Sequence, residues 1–188
     1  MPLPKRTIKV TKLEAARSQL KTAITLWFSD GDPASILALA HGSHEILHRI
    51  YRNRGFSDLL YDAKKIKEEY RADFVRALKV APNFIKHQSQ DTTENENTEI
   101  EFPFGTCAVF IVFSIIALMK IVGKLSDEET AFWVWCGIQE PSVFLKDAQI
   151  EQIQIDISAD VSAYAPKEFF NLVLRALPLI RERNRSTS

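Results

Sequence analysis

The chain is poor in the residues that mark out special classes of protein. Of 188 residues, 2 are cysteine, 6 glycine and 8 proline, and neither charge prevails, with Lys plus Arg and Asp plus Glu at 24 each. Two cysteines cannot build a disulfide scaffold, and Cys107 and Cys136 each lie in an apolar run, where inert buried thiols sit. So little glycine and proline excludes collagen-like and low-complexity chains. Zero net charge supplies no long-range field towards polyanions, so nucleic acid is not a favoured partner. Lys5 and Arg6 are not followed by an apolar stretch, so no secretory signal is read and the cytoplasm is the expected compartment. No GxGxxG, Walker loop, GxSxG, CxxC pair or EF-hand series is present.

What remains reads as an ordinary packed protein. Apolar residues at 46% outweigh charged ones at 26%, enough to fill one core. A single domain of this length buries roughly 70% of its unfolded surface. The only membrane candidate, Phe102 to Met119, is uncharged but reaches just the lower limit of ~18 residues for a span. Pro103, Gly105, Thr106 and Ser114 dilute it, and it is read as a core helix with no membrane partner.

Periodicity and capping place the elements. Thr11 with Glu14 forms a capping box that opens a first helix near Lys12, its stripe being Leu13, Ala16, Leu20, Ala23, Ile24, Trp27 and Phe28. Asp32 followed by Pro33 is an N-cap with proline at the first helical position, predicting a second helix to about Asn53 that Gly55 stops. Ile36, Leu39, Ala40, Ser43, Ile46, Leu47 and Ile50 line its inner side. A short helical piece from Ser57 to Ala63 leads into a helix over 65–81, with stripe Ile66, Tyr70, Phe74, Ala77, Leu78 and Ala81, which Pro82 kinks or ends. Residues 88–98 read as an exposed loop. A very apolar helix over 104–122 and one opened by the Ser126/Glu129 capping box are predicted to form the hydrophobic centre. Pro166 opens the last helix, and 181–188 reads as a frayed tail. Alternation at Thr7–Thr11 and Ile153–Ile157 predicts a short two-stranded ribbon joining the termini.

Three groups of residues carry candidate chemistry. His41, His44 and His48 occupy positions i, i+3 and i+7, within about 60° of one another on the second helix. Such rows build metal sites in helical bundles, so a divalent metal is the one cofactor the sequence offers; otherwise none is expected. The plainer reading is amphipathic packing, because no HExxH or ExxH spacing accompanies the row. Arg49, Arg52 and Arg54 cluster beside Tyr51, where they complement the negative end of the helix dipole. The third group is Asn83, Lys86 and His87 with Asp91: Lys86, Asp91 and the upstream Asp32 are candidate ligand-binding residues, and Asn83 and His87 candidate catalytic ones.

The run PNFIKHQSQD, with FSDGDP before an alanine- and leucine-rich helix, resembles a group of uncharacterised bacterial proteins bearing an NFFKHADRD-like segment. The resemblance covers about the first half of the chain, and Gln88, Ser89 and Gln90 replace the ADR part. More distantly, Asn83-x-x-x-His87 in a helical bundle is similar to the RNxxxH signature of HEPN domains. Catalytic members of that superfamily join arginine and histidine from two subunits into a metal-independent ribonuclease site. Here Pro82 stands at the arginine position. Arg76 lies eleven residues before His87, or ~16 Å along a helix, too far to replace it within one subunit.

These readings converge on an all-α, single-domain bundle of six or seven helices, with HEPN-like architecture. The leading functional expectation is a non-catalytic interaction or ligand-binding module that self-associates or holds a protein partner. The alternatives are a ribonuclease or nucleotide-acting enzyme using His87, and a metal-binding bundle using His41, His44 and His48.

Overall fold

The computed structural model describes residues 7–64, 67–86, 97–139 and 164–186, and among them every regular element is helical. Six α-helices follow one another: α1 (Lys12–Phe28), α2 (Pro33–Asn53), α3 (Glu68–Lys86), α4 (Gly105–Val122), α5 (Asp127–Gln139) and α6 (Pro166–Ser186). One 3-10 turn, Leu60–Asp62, lies between α2 and α3. The expected all-α bundle is thus the fold. Thr7 to Thr11, expected as half of a ribbon, is exposed and belongs to no strand, and the other half, Ile153–Ile157, lies outside the described residues.

Helix starts follow local chemistry closely. At α1, Thr11 Oγ1 accepts from Glu14 N at 3.2 Å while Thr11 N donates to Glu14 Oε2 at 2.7 Å, each satisfying an otherwise unpaired N–H. Asp32 Oδ2 accepts from Ser35 N at 2.7 Å at the head of α2. The Ser126/Glu129 box opens α5 in the same way. Gly123 ends α4 at φ 73°, a left-handed conformation that glycine adopts without a Cβ penalty.

The centre of the bundle is α2, packed on α1 along one side and on α4 along the other. The expected centre, the helix at 104–122 with the one opened by Ser126 and Glu129, holds in part: both line the core, but α4 packs on α2, whereas α5 packs chiefly on α6 and α1 and barely meets α4. Around Phe28, the rings of Trp27, Phe132, Trp135, Phe169 and Phe170 form a second focus of the core, with Phe28 and Phe170 stacked at 4.5 Å.

Of the two outcomes expected at Pro82, continuation is the one found: α3 runs through it to Lys86, because the proline sits in the last turns and forfeits only one hydrogen bond there. Two further expectations are revised. The predicted stripe of α3 is used in part: Ala81 is buried, Phe74 and Leu78 are half-buried against the core, Tyr70 is 59% exposed, and Ile66 lies outside the described residues. The expected tail from Arg181 is instead helical as far as Ser186, with Arg181 Nη1 paired to Asp127 Oδ1 at the head of α5.

Arg54, from the basic cluster, donates from Nη1 to the carbonyl of Ile121 and so satisfies one of the unpaired acceptors at the end of α4. Arg54→Ala is expected to lower stability by about 1–2 kcal/mol in urea titration, with protection of amide exchange lost first at the end of α4.

Candidate functional site

α2 lies between two helices, so burial spreads over both its flanks and takes in part of the histidine row. His41 and His44 are 1% and 0% exposed, inside the packed face rather than at its edge. His48, one turn on, is half-buried. The Phe110 ring of α4 meets His41 edge-on at 5.0 Å and His44 at 5.5 Å. The Tyr61 ring, from the 3-10 turn, stands edge-on to His44 at 4.7 Å and to His48 at 5.5 Å. His44 and His48 lie nearly parallel, 26° apart in plane with centroids 5.8 Å apart.

The row divides by its carboxylate neighbours. His41 Nδ1 lies 3.8 Å from Glu45 Oε2, which accepts from Lys86 Nζ at 2.7 Å. His48 Nε2 lies 3.6 Å from Asp62 Oδ2. Asp62 is fixed from behind, its Oδ2 accepting from Leu59 N at 2.9 Å and Asp58 N at 3.1 Å. The segment that presents Tyr61 and Asp62 is bracketed by two non-glycine residues with left-handed backbone, Asp58 at φ 101° and Ala63 at φ 46°. Such strain gathers at ligand-holding and switching segments.

Burial governs the protonation of the cluster. It pushes the His44 pKa down to about 3, with the neighbouring His48 and His41 adding to the shift and Asp62 opposing it. Burial also lowers His48, against the pull of Asp62, and raises the Tyr61 phenol. Burial opposes ionisation of Asp62, but the N–H groups of Leu59 and Asp58, together with His48 and Arg52, outweigh it and its pKa is lowered. At neutral pH the site therefore presents uncharged imidazoles beside a carboxylate.

Both His44 nitrogens, His48 Nε2 and the Tyr61 hydroxyl are buried without a hydrogen-bond partner in the protein. An unsatisfied buried polar group costs about 1–3 kcal/mol. Among the described residues no three His, Cys, Asp or Glu side chains are already gathered as a metal would gather them.

The second candidate group is tied to the first through Lys86, whose ion pair with Glu45 docks the end of α3 on α2. Asn83 is exposed, and His87 and Asp91 lie outside the described residues. Asp32 serves as the N-cap of α2. Tyr61, Asp62 and Lys79, whose Nζ lies 4.8 Å over the Tyr61 ring, were not singled out by periodicity. The one available signal was Asp62 itself, a carboxylate set in the apolar run Leu59, Leu60, Tyr61 and Ala63.

A third feature is α4. One face, Cys107, Phe110, Ile111, Ser114, Ile115, Leu118 and Ile121, is buried. The opposite face carries Val109, Val112, Phe113, Ile116 and Met119, all apolar and half-buried, each packed in part against the core. Gly105–Val122 is long and apolar enough to cross a membrane, with mean hydropathy 2.3, and 44% of it is buried within the fold.

No family model, curated protein or solved structure matches this chain.

Proposed function

We infer that the chain is a non-catalytic interaction module that pairs with a second copy of itself across the outer face of α4. The observation that carries this reading is the half-buried row Val109, Val112, Phe113, Ile116 and Met119, which continues through the middle of an 18-residue helix without a charged side chain. A solvated helix face of that length normally carries charged residues. Two-fold pairing sets each residue of the face against the same surface of its partner, and a face without charge suffers no like-charge repulsion in that arrangement. Depletion of charge is also what distinguishes the core of an interface.

Replacing both Val112 and Ile116 by Asp places four carboxylates in the paired surface and is expected to convert a dimer to a monomer in sedimentation and native mass spectrometry. The helical circular dichroism should be kept. A wild-type chain that stays monomeric at high micromolar concentration would defeat self-pairing and leave a different protein as the occupant.

A further inference from the structure

We propose that His44, His48 and Asp62 bind a zinc-class divalent ion, with Tyr61 as the side chain that yields to admit it. This goes beyond the pairing role of α4 and does not depend on it.

Four buried polar atoms meet here without a protein partner: both nitrogens of His44, His48 Nε2 and the Tyr61 hydroxyl. Unsatisfied groups in such number at one place call for an explanation, and a bound ion is one that accounts for all of them together. The donor set favours an ion. Two imidazoles one helical turn apart with a carboxylate from a separate segment are the nitrogen and oxygen ligands that zinc takes, leaving a fourth position for water.

The distance between His48 Nε2 and Asp62 Oδ2, 3.6 Å, is too long for a hydrogen bond. It is close to the edge of a tetrahedron with bonds of about 2.1 Å, which is roughly 3.4 Å. Two ligands of one metal stand at such a separation. Asp62 already has the outer support that orients a metal-binding carboxylate, in the N–H groups of Leu59 and Asp58.

The third donor needs a movement. His44 must turn towards the His48 and Asp62 pair, and the Tyr61 ring, 4.7 Å away, is what it turns against. The strained segment carrying Tyr61 and Asp62 is the part of the site able to adjust. His41 is left out, because its carboxylate neighbour is Glu45 rather than Asp62. Two cations stand beside the site, Arg52 Nε at 4.0 Å from Asp62 Oδ1 and Lys79 Nζ at 4.8 Å over the Tyr61 ring, and the ion must bind against their charge.

The test is titration of the full, chelator-treated chain with zinc chloride, followed by calorimetry and thermal unfolding, and with cobalt chloride, followed by visible absorption. Wild type should bind one ion per chain, unfold at a higher temperature with zinc than with magnesium, and give the intense cobalt bands of a four-coordinate site. His48→Leu and Asp62→Asn should lose all three responses, and His41→Leu should keep them. His44→Leu should lose zinc binding while being at least as stable as wild type without metal, so the loss cannot be put down to misfolding. Absence of zinc binding at micromolar concentration, weak six-coordinate cobalt spectra, or unchanged binding in His44→Leu would each overturn the assignment.

Discussion

Arg17→Leu is expected to be more damaging than Glu129→Gln, although the two residues form a single ion pair. Arg17 on α1 donates from Nε to Glu129 Oε1 at 3.0 Å and from Nη2 to Oε2 at 2.7 Å, a bidentate clasp on the first turn of α5. The two ends are unequally wet: the Arg17 side chain is 31% exposed and that of Glu129 is 1%. Removing the arginine leaves a buried carboxylate supported mainly by Ser126 N, whereas removing the carboxylate's charge leaves a guanidinium that water can reach. Breaking a buried pair from one side typically costs roughly 3–5 kcal/mol. That is a large part of the 5–15 kcal/mol by which domains are usually stable, and about 10 °C in Tm at this size. Adding Glu129→Met to Arg17→Leu should recover most of the loss. Equal destabilisation by the two single changes, or no recovery in the double variant, would show that desolvation of Glu129 does not set the cost.

In chelator-treated protein, stability to urea is expected to stay level above pH 6.5 and to decline below it. Burial holds the folded-state His44 pKa at about 3. In the unfolded chain the value returns to about 6.5. Between those values the unfolded state binds the extra proton, so stability falls by roughly 1.4 kcal/mol for each unit that pH drops, and the His44 contribution stops changing below about pH 3. His48 is shifted in the same direction and adds to the decline just below pH 6.5. The lowered carboxylates Asp62 and Glu45 contribute stability above their unfolded values that is lost only in stronger acid. The interval from pH 6.5 to 5 therefore isolates the histidines. Urea midpoints for wild type and His44→Leu across that interval should diverge, with the variant flatter; parallel curves would remove His44 as the origin of acid sensitivity.

How much of this was legible in advance varies with the range of the forces involved. The starts of α1, α2 and α5 could be read because Thr11, Asp32 and Ser126 act on backbone groups three residues away. The histidine row was visible for the same reason, since i, i+3 and i+7 share a helix face in any surroundings. Its partners were not: Asp62 meets His48 only after the chain has turned at Asp58 and Ala63, whose left-handed backbone breaks the periodicity. The continuation of α3 past Pro82 was one of two outcomes the sequence left open. A proline removes one bond, and docking of Lys86 on Glu45 with burial of Ala81 holds the turn that follows.

By itself the sequence determined the all-helical class, the positions where helices begin, and which side chains were apolar enough to be buried. These follow from capping and periodicity, whose reach is one turn. Only the tertiary structure decided that α4 packs on α2 and barely meets α5. It also drew His41 and His44 into the packed face, left most of α3 uncovered, and joined Arg17 to Glu129 across 112 positions. The physical reason is that a helix with apolar residues on more than one flank can bury either. The choice is made by the neighbours it meets, and those are brought together by contacts far longer in sequence than any local pattern can register.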